Sequence, residues 1–274
     1  MLNMPWLSLI FGAVVGFSLG LTGGGGAIFA VPLLVYGLSI DPRQAVGISL
    51  AAVGLTSAVG FLGRWKSGQV ELGTGLMFAV AGMIGAPLGS WLSAQIPERL
   101  LLTLFALLML VVAVRMWRKS DPLSVPIVCA TDEAEGPTCR RDPAGDLRWT
   151  SPCALLLGVV GVLTGVLSGL FGVGGGFVIV PALVLFSGMA IHRAVGTSLM
   201  VIALISASGV ASHLLAGRTI PAETTSLFVV GGVLGMFAGI WASRYLSGPA
   251  LQRVFAVAIV AVAIFVILRT TFHL

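Results

Sequence analysis

The chain has 274 residues, of which 57% are hydrophobic and only 9% are charged. Soluble domains carry about 25% charged residues, so this composition cannot build a water-facing surface, and most of the surface must meet lipid. The formal charge of +5 calls for no nucleic-acid partner, because lysines and arginines flanking membrane helices are the ordinary orientation signal.

Apolar segments occur in chain order at 5–21, 27–40, 45–62, 72–94 and 100–116, and again at 152–171, 177–189, 194–214, 225–246 and 251–268. The runs are continuous rather than alternating, which argues against a transmembrane β-barrel. The longer ones match the about 20 residues that one helix needs to cross about 30 Å of hydrocarbon. A helix also satisfies its own backbone polar groups, as lipid requires. The first segment lacks a basic leader and runs on past a signal sequence, so it reads as a retained membrane helix. The predicted fold is an all-α polytopic membrane protein.

Between the two sets of segments the chain turns hydrophilic. From Arg115 to Arg148 it gathers about half of all its charged residues. The predicted organisation is a first membrane repeat at 1–118, a hydrophilic linker at 119–150 and a second membrane repeat at 151–274. The positive-inside rule puts the linker in the cytoplasm. Cys129, Cys139 and Cys153 show no metal spacing and are expected as free thiols.

The second set of segments repeats the first. Adding 149 carries Gly16 to Gly165, Gly20 to Gly169, Gly23 to Gly172, Gly25 to Gly174, Pro32 to Pro181 and Ala45-Val46-Gly47 to Ala194-Val195-Gly196. Over residues 16–50, 15 of 35 positions are identical, more than shared apolar composition supplies. Each repeat opens with a long apolar stretch broken by glycines, which reads either as a re-entrant hairpin or as a short second helix. The first reading gives four crossings per repeat, and the second gives five with the repeats inverted. Stripes at Gly12, Gly16 and Gly20, at Gly161, Gly165 and Gly169, and at Gly231, Gly235 and Gly239 are expected to pack helices closely, since lipid provides no hydrophobic drive for association.

Two constellations carry the candidate chemistry. The first is the pair of glycine clusters, Thr22 with Gly23, Gly24, Gly25 and Gly26, and Gly172 with Gly174, Gly175 and Gly176. Irregular backbone at membrane depth survives only when buried in protein or lining a wet cavity. Matching breaks in two halves point to a transporter's binding site. A broken helix exposes N–H groups and the positive end of its dipole, which favour an anion. No Gly-Lys-Ser/Thr follows either cluster, so neither is a nucleotide loop. The second constellation follows each break: Arg43, Gln44 and Ser49 in the first copy, and His192, Arg193, Thr197 and Ser198 in the second. The arginines are placed to hold an anion and the hydroxyls to donate to it. The alternative is that the arginines anchor helix ends at headgroups and the hydroxyls bond back to their own helices. No Asp or Glu lies inside an apolar segment, which suits an anion route. His192 and His213 are the nearest candidates for proton coupling.

No catalytic group, metal site or cofactor is expected. A hydrolytic pairing of Ser168 or Ser198 with His213 lacks a nucleophile-elbow sequence.

The duplicated unit, with its glycine break, the following proline and then His-Arg-Ala-Val-Gly-Thr-Ser-Leu at 192–199, resembles the sulfite exporter TauE/SafE family over nearly the whole chain. The first copy departs from the motif, with Ile48 at the position of Thr197, so Arg193 is expected to outweigh Arg43. The resemblance implies a multi-pass permease of the bacterial inner membrane, of about eight helices and arisen by duplication, that moves sulfite, sulfonates or other organosulfur anions, with protons as a coupling ion. The implied partners are a small anionic substrate and the bilayer. A homo-oligomer stays open, as do an anion channel and an accessory subunit without transport of its own.

Overall fold

The structure is a computed structural model that describes residues 5–119, 151–187, 189–242, 260–262 and 264. Residues 120–150 of the linker and most of the last apolar segment lie outside the described residues.

Every regular element among the described residues is helical. In the first half α1 is Pro5–Thr22, α2 is a short helix at Gly25–Gly37, and α3, α4 and α5 are Pro42–Trp65, Leu72–Gln95 and Glu98–Lys119. In the second half α6 is Ser151–Phe171, α7 is Gly176–Ser187, α8 is Ile191–Leu215 and α9 is Ala222–Ala242. α3 starts ahead of its apolar run because Asp41 caps it. Asp41 accepts from the backbone N–H of Arg43 at 2.9 Å and of Gln44 at 3.4 Å, with Pro42 in the first turn of α3.

Five described helices are long and apolar enough to cross a membrane, namely α3, α4, α6, α8 and α9. Leu155, Leu163, Leu234 and Phe237 stand exposed on α6 and α9, and Leu76, Ile84 and Leu88 on α4. Apolar surface on this scale faces lipid rather than water. The chain is thus a multi-pass α-helical membrane protein, as its composition predicts. By contrast, α3 and α8 are the most enclosed spans, 61% and 67% buried.

Glycine contacts set how the helices lie. Gly12, Gly16 and Gly20 of α1 meet Phe228, Gly232 and Met236 of α9 in turn, so these two helices run parallel. Gly161, Gly165 and Gly169 of α6 meet Phe78, Gly82 and Ala86 of α4 in the same manner. A Cβ at Gly16 would overlap the carbonyl of Gly232, and one at Gly165 the carbonyl of Gly82. Such close backbone approach provides the van der Waals contact that holds helices together in lipid.

The centre is different. Gly47 of α3 lies against His213 of α8, Leu50 against Gly209, and Gly54 against Ser206, so α3 and α8 are antiparallel. α9 runs parallel to α3, with Gly232 against Thr56 and Met236 against Gly60, while α4 runs parallel to α8, with Gly75 against Thr197 and Gly82 against Ile205. It follows that α1 and α3 point the same way, and α6 and α8 the opposite way. The chain must therefore return across the bundle between α1 and α3, and α2 makes that return. Among the described residues α1 thus runs opposite to α6, and α3 opposite to α8.

Cys153, at the start of α6, is disulfide-bonded, which departs from the three free thiols expected. Its partner lies outside the described residues.

Candidate functional site

The site grows from the two glycine breaks. α1 stops at Thr22, whose hydroxyl donates to the Ser18 carbonyl at 2.8 Å and accepts from the Gly25 N–H at 3.0 Å. Gly23 then turns with φ +74°, and Gly172, Gly174 and Gly175 take φ between +68° and +70° in the second break. Other residues adopt this region only under strain. α2 runs back along α1, with Gly26 against Ser18 and Gly37 against the ring of Phe11. In the second half Gly175 lies against Thr164 of α6.

The breaks meet each other. A Cβ built on Gly176 would stand 2.6 Å from the Cα of Gly24. The first turns of α2 and α7 therefore abut inside the protein, each with the positive end of its dipole directed inward. Gly24, Gly26, Gly172, Gly174, Gly175 and Gly176 are all buried, and Gly25 is partly so.

The hydroxyls after each break serve as cross-ties. Ser49 of α3 donates to the carbonyl of Gly172 at 2.6 Å, and Ser198 of α8 donates to the carbonyl of Gly23 at 2.7 Å. Each half thus clasps the break of the other. Thr197 accepts from the N–H of Glu71 at 3.0 Å, at the start of α4. A serine hydroxyl has one proton, so in this conformation Ser49 and Ser198 have none to offer an anion.

The antiparallel register of α3 and α8 brings the start of one beside the end of the other. There a recess of about 300 Å³ opens, lined by Arg43, Gln44, His213, Gly217, Arg218 and Thr219. No carboxylate is in that lining. Taking about 30 Å³ for each water, the recess admits a small oxyanion with part of its hydration shell. The Arg218 Nη1 lies 3.5 Å from His213 Nδ1. Arg218 follows α8 in the loop, and burial together with the Arg43 charge holds its pKa below the ordinary arginine value. Two guanidinium groups that repel each other across a recess are relieved by a shared anion.

The structure brings together only part of the predicted set. Arg43 and Gln44 line the recess, whereas His192 and Arg193 sit exposed at the start of α8 and are not in its lining. The greater weight expected of Arg193 therefore finds no support in its position. The reason is the register, since the end of α8, not its start, lies beside Arg43. Sequence reasoning missed Arg218 and Thr219. A signal was present: under the 149-residue offset Arg218 falls on Gln69 and His213 on Arg64, so the repeat changes chemistry there. Among the described residues, no three His, Cys, Asp or Glu side chains form a group able to hold a metal ion.

A bundle of membrane helices with paired breaks in its interior and a cationic recess at one end of its central seam has the build of a membrane transporter. Residues 8–266 match the family described as Sulfite exporter TauE/SafE, and the chain belongs to that family. It is 36% identical over 265 residues to a "Probable membrane transporter protein" of Xylella fastidiosa strain Temecula1, covering 94% of this chain and 93% of that one. It is 28% identical over 220 residues to "Probable membrane transporter protein YunE" of Bacillus subtilis strain 168, covering 77% of this chain and 78% of the relative. A third relative, from Haemophilus influenzae, bears the same description at 26% identity over 281 residues. No solved structure matches the chain.

Proposed function

We propose that this transporter is a secondary permease for a small anion in a bacterial inner membrane, with sulfite, a sulfonate or another organosulfur anion as cargo. The observation that carries the reading is the recess of Arg43, His213 and Arg218 at one end of the α3–α8 seam, with no carboxylate in its lining. An anion entering it gains charge-assisted hydrogen bonds from two guanidinium groups. The glycine breaks lie further along the same seam, where Gly174 touches both Val53 of α3 and Ile202 of α8. The starts of two short helices then face the cargo with their positive ends.

Access alternates as the oppositely directed halves rock about the breaks. The family description supports sulfur anions as the first class to test. No nucleotide motif occurs in the sequence, so the energy comes from a gradient, with protons as the first candidate, or from a partner.

The test is flux in proteoliposomes holding the full chain, with sulfite, sulfate, methanesulfonate and chloride offered with and without a pH gradient. Saturable uptake of a sulfur anion, counter-exchange and dependence on the gradient are expected. Flux that neither saturates nor counter-exchanges would assign a channel instead.

A further inference from the structure

A serine or threonine inside a helix ordinarily bonds back to the carbonyl one turn earlier. This chain follows the rule at Thr22, Thr164, Ser187 and Thr225, which donate to the carbonyls of Ser18, Gly161, Leu183 and Pro221 at 2.8, 2.8, 2.5 and 2.8 Å. Ser18, Ser57, Ser168 and Ser206 are buried to 3% exposure or less, and their hydroxyls have no partner among the described groups. All but Ser57 have contacts with a glycine break or a backbone bond to one: Ser18 packs on Gly26, Ser206 on Gly174, and the Ser168 carbonyl accepts from the N–H of Gly172. Ser93, near the end of α4, is the other serine of this kind. Unsatisfied hydroxyls in a dry interior are unfavourable, and an apolar residue of similar size would avoid the cost.

Ser57 and Ser206 hold the central positions. Each lies within about 5 Å of the midpoint of its own helix, by the 1.5 Å rise per residue, on the two most enclosed spans. Ser206 stands between Gly54 of α3 and Gly174 of the second break, its Oγ 3.4 Å from where a Cβ on Gly174 would be. Ser57 lies one turn beyond Gly54 on the same face of α3. The 149-residue offset superposes Ser57 on Ser206 and Gly25 on Gly174. One end of the seam is the cationic recess. At the other end Arg64 is half-buried, with its Nη1 3.4 Å from Gln69 Oε1, and the Gln69 carbonyl lies against Gly196, one turn past Arg193.

We infer that the α3–α8 seam is the anion's route, and that the hydroxyls of Ser57 and Ser206 are its donors in the dry middle. The inference rests on the transport reading above and assigns its interior site. Cations at both ends draw the anion in. Neutral hydroxyls between them replace part of its water shell without holding it as a guanidinium would, so that it can leave. Such a pair suits an oxyanion, whose several oxygens can accept from both serines at once. In this conformation the seam is closed, with Leu50 packed on Gly209 and Gly54 on Ser206, so passage needs α3 and α8 to part.

The experiment compares sulfite flux in proteoliposomes, and thermal unfolding in detergent, for the wild type, Ser57→Ala, Ser206→Ala, Ser206→Cys and the double alanine variant. Each alanine variant is expected to lose about tenfold in maximal rate, the effect of one hydrogen bond to a charged group, and the double variant falls to background. Ser206→Cys, with a weaker donor of similar shape, lies between serine and alanine. Unfolding midpoints stay level or rise, because an unsatisfied hydroxyl has been removed. Wild-type flux in the double variant overturns the inference and leaves the transport reading standing. A loss of flux matched by a lowered midpoint also overturns it, since it assigns the serines to packing. No sulfite or methanesulfonate flux in the wild type overturns the transport reading, and the inference with it.

Discussion

Gly24 and Gly176 touch through their backbones, so that a Cβ on either would overlap the main chain of the other. One belongs to the break after α1 and the other opens α7, 152 positions further along the sequence. The contact makes the two breaks one structural unit and defines where the halves must slide or part.

That contact yields a graded prediction. Gly24→Ala and Gly176→Ala place a methyl against backbone that cannot move aside, and each should lower stability by about 1–3 kcal/mol. Gly25→Ala meets only the Thr22 side chain, with Oγ1 at 3.1 Å, and should cost under about 1 kcal/mol. Gly174→Val adds strain at φ +68° to crowding by Ile202 and Val53 and should abolish transport while the chain still inserts. Unfolding midpoints in detergent and flux in vesicles measure these effects. Equal behaviour of Gly24→Ala and Gly25→Ala would show that the breaks do not abut.

The position of the recess orders the arginines. Arg43→Gln and Arg218→Gln should each weaken apparent sulfite affinity by about tenfold or more, the effect of losing a charge-assisted hydrogen bond. Arg193→Gln removes an exposed charge that solvent and salt screen, and should change affinity by less than about twofold. Half-saturation concentrations from initial rates test the order. A larger effect at Arg193 than at Arg43 would move the entry site to the start of α8.

The cross-ties predict a loss of stability rather than of affinity. Ser49→Ala leaves the Gly172 carbonyl without its 2.6 Å donor, and Ser198→Ala does the same to Gly23 at 2.7 Å. Each should cost about 1–3 kcal/mol, the penalty of a buried group left unpaired. Their unfolding midpoints should fall, whereas that of Ser206→Ala should not. A lowered affinity with an unchanged midpoint would return Ser49 and Ser198 to the anion's first contacts.

Helix packing in lipid supplies the last prediction. Gly16→Val drives a side chain into the Gly232 carbonyl and Gly165→Val into that of Gly82. Both should destabilise the bundle by about 1–3 kcal/mol or more, by separating α1 from α9 and α6 from α4. Gly158→Val, whose Cβ position meets nothing within 4 Å apart from its chain neighbours and its own helix backbone, is the control and should be tolerated. Protease sensitivity of the purified chain reads the difference.

Much of this protein was legible in its sequence because lipid imposes simple rules. Apolar runs of sufficient length become helices, since no other open structure satisfies the backbone in hydrocarbon. The small-residue stripes had to be contact faces, and the glycine clusters had to interrupt helices. Arg43 and Gln44 were recognisable as candidates by following a break. The hydroxyls were harder. Ser49, Thr197 and Ser198 stand at the right spacing to be donors, yet their bonds go to backbone groups of distant segments that no spacing reveals. Ser57 and Ser206 look like any serine in a membrane helix until the absence of partners around them is seen.

By itself, then, the sequence determined the helices, their breaks and the residue types available to meet an anion, because these depend on local composition and on the solvent. Only the tertiary structure decided which ends lie together. The antiparallel packing of α3 on α8 brings Arg43 to His213 and Arg218, and leaves Arg193 exposed. Partners far apart in the chain are chosen by which backbones can approach, and that is a property of the assembled bundle.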